Sequence, residues 1–316
     1  MADDSAIEWT DSTFNYWEGC QHTGPGCDNC YAELRNARFG RGVAHNWGPG
    51  APRRLTSLKN RNRPRRWHRR HADFFSLNGR RQRVFCSSLS DFADNAVPTE
   101  WQADLFALIE ETTNLDWLLL TKRIGNVEAL VRLHRPAWLE PGGWPTHVRI
   151  GATITSQEEA NRDIPKLLAL PAPNFLSMEP LLGSVDLRNI QPRTGETFNA
   201  LEPATGRRAI DWVIAGGESG KRTQRIRPVY PAWVHSLQAQ CESHAVPFLF
   251  KQWGSHRPVA AAPEKKASLI AVNMDGVTKP LQTGAAAEDG WVAMQWMPKQ
   301  QTGRQLDGRI YNGFPG

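Results

Sequence analysis

Short apolar runs rich in β-branched and aromatic residues recur along the chain, with longer helical stretches between them. The runs are VFCSS (84–88), DWLLLT (116–121), VRIGAT (148–153), NFLSME (174–179), DWVIAGGE (211–218) and PFLFKQW (247–253). None alternates cleanly between apolar and polar positions, which predicts strands covered on both faces. FNYW (14–17) predicts a first strand ahead of them. TEWQADLFALIEETTN (99–114) predicts a helix that follows Pro98, with Thr99 as its N-cap. SQEEANRDIPKLLAL (156–170) predicts another, opened by Ser156 and carrying Glu158 and Glu159 in its first turn, where carboxylates suit the helix dipole. Pro165 predicts a kink or a restart within it. YPAWVHSLQAQCESH (230–244) predicts a further helix.

A βα alternation of this kind makes a parallel sheet. Six or seven such units fit an open or closed (β/α) barrel and also a doubly wound sheet. The residues at the strand ends favour the barrel. Polar groups and glycines gather where every strand stops: Ser87, Ser88 and Asp91; Thr121, Lys122 and Arg123; Thr153 and Ser156; Glu179; Gly216, Gly217 and Glu218; Lys251 and Gln252. In a barrel all of these ends face one mouth, where the chemistry is done, whereas an open sheet uses mainly one switch point. The expected fold is therefore α/β, a partial (β/α) barrel of six to seven units over residues 1–253. An irregular basic insertion is expected at about 40–83. Residues 254–316 are expected to form a C-terminal extension, in which SLIAVNM and GWVAMQWM supply strands that cap the barrel or build a small appended sheet.

Charge sharpens the picture. The 316 residues carry a net charge of +6, but twelve of the 38 Lys/Arg and only one acid, Asp73, lie between Arg53 and Arg83. The rest of the chain has more acids than bases. A basic segment centred on RNRPRRWHRRH (61–71) suits a polyanion, since each phosphate contact releases counterions. Arg61, Arg63, Arg65, Arg66, Arg69 and Arg70 are the candidate nucleic-acid contacts, against the alternative of a solvated surface insertion. Thirteen tryptophans fit either core packing or stacking surfaces for bases. No apolar run approaches the roughly 20 residues of a membrane span. The N-terminal MADDSAIEWTDS does not read as a secretory signal. A cytoplasmic protein with no membrane partner is expected, and structural disulfides are disfavoured there.

Three of the five cysteines crowd into GCQHTGPGCDNCYAE (19–33), spaced C-x6-C-x2-C directly after the first expected strand. This pattern points to metal. A structural zinc wants four ligands, the fourth coming from His22, His45 or a remote residue. A four-iron cluster held by only three cysteines keeps one iron open. Gly24, Pro25 and Gly26 fit a loop that folds tightly around a bulky inorganic core. Cys86, in an expected strand, and Cys241, on an expected helix, read as core residues.

Cys20, Cys27 and Cys30 with Tyr31 resemble the cluster loop of the radical S-adenosylmethionine superfamily. The usual spacing there is C-x3-C-x2-C, so the first gap is longer here. More closely, the chain resembles a phage- and bacterium-encoded family of three-cysteine-motif proteins. The matching stretches are IEWTDSTFNYWEGC, GCDNCYAE, FCSSLSDFADNAVP, LLLTKRIGNV, GATITSQEEANRDIP, FLSMEPLLGSVDL, DWVIAGGESG and PFLFKQWG. The superfamily resemblance implies a [4Fe-4S] cluster on the three cysteines and S-adenosylmethionine on its open iron. It implies reductive cleavage to a 5′-deoxyadenosyl radical, with an electron-donor protein as a partner. Tyr31, Ser87, Ser88, Lys122, Thr153, Glu179, Gly216, Gly217 and Glu218 become candidate cofactor contacts. Glu179 and Glu218 would serve the ammonium and sulfonium, and Lys122, Arg123 or Lys251 the carboxylate. Asp91, Arg123, Lys251 and Gln252 become candidate substrate contacts. By analogy with the DNA photoproduct lyases of the superfamily, the expected activity is repair or modification of a base in nucleic acid, with DNA favoured over RNA. The alternative is a non-catalytic zinc or iron–sulfur protein that binds nucleic acid.

Overall fold

A computed structural model describes residues 3–259 and 268–315. The chain folds as two compact units. Among the described residues, the first comprises those up to Gly24, Cys30–Ala152 and Lys166–Phe175. The second comprises Pro25–Asn29, Thr153–Pro165 and the residues from Leu176 onward.

In the first unit β1 (Ser12–Phe14), β2 (Trp17–Glu18), α1 (Tyr31–Phe39) and β3 (Arg54–Leu55) come first. They are followed by α2 (Leu58–Arg61), α3 (Arg63–Arg69), α4 (His71–Asn78), β4 (Gln82–Cys86), α5 (Thr99–Glu111), β5 (Leu115–Thr121), α6 (Val127–His134) and β6 (Val148–Thr153). Strands β1, β4, β5 and β6 pair in parallel, in that order. In β5, LDWLLLT, only Asp116 and Leu120 are less than fully buried, so the strand is covered on both faces as its unbroken apolar run requires. Helix α5 buries Gln102, Leu105, Phe106, Leu108 and Ile109, the face that three- and four-residue spacing creates.

The expected strand at FNYW is divided. Ser12–Phe14 joins the parallel sheet, while Trp17–Glu18 pairs antiparallel with β3. Between them sits Asn15, fully buried. Its amide donates to Ser88 Oγ at 2.9 Å, and its carbonyl oxygen accepts from the Leu89 N–H at 2.6 Å. The chain therefore leaves the strand direction to satisfy a buried side chain. The basic segment is also not irregular, since it folds as α2, α3 and α4. Pro64 and Trp67 of α3 are buried, and Gly79 ends α4 in the left-handed conformation (φ 67°) that glycine adopts without cost.

The second unit carries α7 (Gln157–Leu168), β7 (Asn174–Met178), β8 (Val213–Gly216), α8 (Pro231–Ser243) and β9 (Phe248–Gln252). The termini of α7 and β7 fall across the unit boundary. Strands β7, β8 and β9 pair in parallel. The seven-stranded order β1-β4-β5-β6-β7-β8-β9 follows the chain without the reversal of a doubly wound sheet. Helix α7 runs through Pro165 as one element, with Ala160, Ile164 and Leu167 fully buried on one face. That burial outweighs the single backbone hydrogen bond a proline forfeits. Ser156 caps it as expected, its Oγ accepting from the Glu159 N–H at 3.3 Å.

Past β9 lie β10 (His256–Pro258), β11 (Leu269–Asn273), β12 (Thr278–Pro280), β13 (Trp291–Trp296), α9 (Lys299–Thr302), β14 (Gln305–Leu306) and β15 (Arg309–Ile310). Strands β10 to β13 form the appended sheet, antiparallel in the order β10-β13-β11-β12. The final residues run antiparallel along β9, where Phe250 N–H donates to the Tyr311 carbonyl at 3.1 Å and Gly313 N–H to that of Phe248 at 2.9 Å. An exposed strand edge is thereby covered. Nine of the thirteen tryptophans are buried, so packing accounts for most of them. No helix among the described residues is long and apolar enough to cross a membrane.

His256 of β10 is buried, and burial lowers its pKa from 6.5 to about 4 against the opposing charge of Glu218. The folded protein keeps this ring neutral while the unfolded chain protonates it. Its contribution to stability is whole above about pH 6.5 and is lost as pH falls toward 4. Urea titrations across this window should show a steeper acid loss in the wild type than in His256→Gln. Identical slopes would contradict the assignment.

Candidate functional site

In the first unit, Cys20 follows β2 on a backbone that only glycine permits one residue earlier. Gly19 has φ +112°, and a Cβ there would stand 2.5 Å from the Asn46 carbonyl oxygen. Cys20 N–H donates to that same carbonyl at 3.2 Å. Arg123, just past the end of β5, reaches the cysteine loop. Its Nη1 donates to Cys20 Sγ at 3.4 Å and its Nη2 to the Gln21 carbonyl at 2.8 Å. The same guanidinium pairs with Asp91 at 3.0 Å, and both side chains are at least nine-tenths buried.

Asp91 is fully occupied. It accepts from Thr121 Oγ1 (2.6 Å), the Lys122 N–H (3.0 Å), the Ala93 N–H (3.0 Å) and Arg123. Burial alone would lower the Arg123 pKa, but Asp91 and Cys20 together hold it above its ordinary value. Burial, aided by Asp91, pushes the Cys20 thiol up to about 11, with Arg123 opposing. Cys30 is the residue that opens α1. Tyr31, more than half exposed, donates its hydroxyl to the Ser88 carbonyl. Ser87 and Ser88 are buried just beyond β4, where Ser88 Oγ accepts from Asn15.

In the second unit, Pro25–Cys27 forms one 3₁₀ turn, and Cys27 is buried. Arg227 holds this turn. Its Nη2 donates to the Pro25 carbonyl at 2.9 Å and its Nη1 to Asp28 Oδ2 at 2.9 Å. Glu218 in turn holds Arg227. Its Oε1 accepts from Nη2, and its Oε2 accepts from the Arg227 backbone N–H (2.8 Å), Nε (3.1 Å) and Asn29 Nδ2 (2.9 Å). Gln224 Nε2 donates to Asn29 Oδ1 at 3.3 Å.

Gly217, directly before Glu218, has a packing cause. A Cβ on Gly217 would lie 2.2 Å from the Trp253 carbonyl oxygen, and Gly254 opposite has φ +85°. Gly217 N–H donates to the Gln252 carbonyl at 2.9 Å, and Ser255 N–H donates to that of Glu218 at 2.9 Å. The Gln252 amide closes the zipper, donating to the Gly217 carbonyl (3.2 Å) and Ser219 Oγ (3.0 Å) and accepting from the Gly254 N–H.

Glu179, at the end of β7, has Lys251 Nζ 2.9 Å from its Oε1. Among the described residues, no donor has hydrogen-bond geometry toward that oxygen. Thr153 is buried at the end of β6.

None of the five cysteines is in a disulfide. Burial pushes the thiols of Cys86 and Cys241 up to about 12, as suits core residues. Among the described residues, no three His, Cys, Asp or Glu are grouped to hold a single metal ion. A tetrahedral zinc would bring its thiolates to about 3.8 Å of one another. A four-iron cube sets each thiolate on a separate corner and asks for a wider spacing. Three cysteine thiols in one short segment are the donor type such a cube takes, and Cys20 Sγ has an N–H donor of the kind that supports a cluster ligand.

The arginines of the basic segment divide into two sets. Arg63 and Arg66 pair with Asp3 at 2.7 and 2.9 Å, and Arg65 pairs with Glu111 at 2.7 Å. Arg61 donates to the Thr56 carbonyl and to the Tyr16 hydroxyl. Arg69 and Arg70 are exposed, with Arg70 meeting only Asp73 at 3.5 Å. Much of this charge is thus matched within the first unit. Arg227, Asn29, Asp28 and Asn15 have no counterpart among the residues singled out by sequence. Arg227 follows no strand directly, and its partners lie about two hundred positions away.

A protein-family model described as "Protein of unknown function (DUF5131)" matches residues 4–315. No curated protein and no solved structure gives a match. Gly217→Ala should lower stability by about 1–3 kcal/mol in urea unfolding, because the Trp253 carbonyl must move. An unchanged midpoint would contradict the close backbone approach.

Proposed function

The chain belongs to the DUF5131 family, and we propose that it is a radical S-adenosylmethionine iron–sulfur enzyme acting on nucleic acid. The observation that carries this reading is the Cys20 thiol under the buried Arg123 guanidinium, in a C-x6-C-x2-C segment whose cysteines form no disulfide. The unreversed strand order supports a partial (β/α) barrel, in which strand ends gather the working residues at one mouth.

Cys20, Cys27 and Cys30 would hold a [4Fe-4S] cluster. When bound, the cluster supplies the single electron, drawn from a donor protein, that cleaves S-adenosylmethionine reductively. The chain's own groups prepare for this. Arg123 donates to Cys20 Sγ and favours the thiolate that burial otherwise opposes. Asp91 fixes that guanidinium in place. Glu179, ion-paired with Lys251 but with fewer hydrogen bonds than Glu218, is the carboxylate better suited to the ammonium of S-adenosylmethionine. Lys122, just past β5, is a cation that could take the carboxylate, and Lys251 could do so by exchanging its Glu179 partner. Glu218 has both oxygens engaged by Arg227 and Asn29 and is the weaker candidate for the ammonium.

Oxygen-free protein reconstituted with iron and sulfide should turn brown and, when reduced with S-adenosylmethionine present, should form 5′-deoxyadenosine. Cys20→Ser, Cys27→Ser and Cys30→Ser should each abolish the product. Colourless protein, or no 5′-deoxyadenosine where a control enzyme makes it, would overturn the reading. Nucleic-acid binding rests on the arginines left to solvent. Arg69→Glu with Arg70→Glu should weaken binding to DNA and reduce the slope of log K against log salt by about 1 for each phosphate no longer neutralised. An unchanged slope would remove the basic segment from the interface.

A further inference from the structure

We infer that Glu218 is a positioning residue for the cysteine loop, acting through Arg227 to fix the turn that carries Cys27. The inference rests on the reading of the three cysteines as cluster ligands and narrows the role of the Gly216-Gly217-Glu218 turn within it. Three features converge. Glu218 is buried, and its two oxygens receive four hydrogen bonds, three from Arg227 and one from Asn29. Arg227 spends its remaining reach on Pro25, which opens the 3₁₀ turn, and on Asp28, just past Cys27 at its end. The glycine directly ahead of Glu218, Gly217, is required by the backbone approach to Trp253 and Gly254.

The turn itself has little apolar surface. PGCDN offers only Pro25 and Cys27 to a core, so its shape depends on hydrogen bonds from outside. A charge-assisted, multiply bonded carboxylate–guanidinium pair is the strong form of such a bond. Asn29 supplies a second strut, since its amide bridges Glu218 Oε2 and the Arg225 carbonyl at 3.1 Å while its own oxygen is held by Gln224. In this arrangement Glu218 sets where Cys27 stands, and the ammonium of S-adenosylmethionine falls to another carboxylate.

The test compares Glu218→Gln, Arg227→Met and the double variant in the full-length chain. After anaerobic reconstitution, each single variant should retain several-fold less iron than the wild type. The double variant should lose no more than either. Protein that does carry iron should bind S-adenosylmethionine with unchanged affinity. If Glu218→Gln keeps its full iron but loses S-adenosylmethionine affinity tenfold or more, Glu218 is a ligand and the inference fails. A metal-free readout separates this inference from the cluster reading. In protein never exposed to iron, iodoacetamide should alkylate Cys27 several-fold faster in both single variants, while Cys86 and Cys241 stay slow and report an intact fold. Should the wild type take up no iron, the cluster reading falls and Cys27 alkylation alone decides the brace. Unchanged Cys27 alkylation overturns it. If Arg227→Met exposes Cys86 and Cys241 as well, Arg227→Lys replaces it. That variant keeps the charge but cannot span Glu218, Asp28 and Pro25 together, so Cys27 alone should speed up.

Discussion

A loop such as GCQHTGPGCDNC has almost no apolar side chain to bury, so hydrophobic collapse cannot give it a shape. Its order must come from hydrogen bonds and ion pairs, and those are strong only where water is excluded. The protein meets this constraint with two guanidinium–carboxylate pairs, one buried on both sides and one joining a buried carboxylate to a half-buried guanidinium. Arg123, fixed by Asp91, holds the backbone at Gln21 and points a donor at Cys20 Sγ. Arg227, fixed by Glu218, holds the turn from Pro25 to Asp28. Breaking the Arg123–Asp91 pair would leave a buried charge without its partner, an arrangement that costs about 3–5 kcal/mol.

The parallel sheet makes such pairs possible. Asp91 and Arg123 lie just past β4 and β5, and Glu218 just past β8, where the backbone leaves a fully covered strand and can turn polar groups inward. Glycine appears where two backbones must touch, at Gly19 against Asn46 and at Gly217 against Trp253. A GGE tripeptide after a strand therefore has a structural cause in this chain before any ligand is considered.

The strands and long helices were legible in the sequence, because their apolar runs are local signals and burial on both faces writes itself as an unbroken run. The basic segment was not. RNRPRRWHRR carries no apolar periodicity, and its helices are held by Trp67 in the core and by Asp3 and Glu111, which stand far away in the chain. The divided first strand was hidden for the same reason, since Asn15 turns the backbone to reach Ser88 and Leu89. At the site, the cysteines announced themselves by spacing and the strand-end acids by position. Their actual partners did not, because Arg227 and Asn29 become meaningful only once the chain has folded. Sequence offered Glu179 and Glu218 as equals, and geometry separates them by their partners: Lys251 and Ser177 for Glu179, Arg227 and Asn29 for Glu218.

The central claim is that three thiolates hold a four-iron cluster with one iron left open. Mössbauer spectroscopy of oxygen-free protein reconstituted with isotopically enriched iron tests it most directly. The account predicts a [4Fe-4S] spectrum in which about one iron in four changes its parameters when S-adenosylmethionine is added. A spectrum indifferent to S-adenosylmethionine, or a protein that binds a single zinc in place of iron, would contradict it.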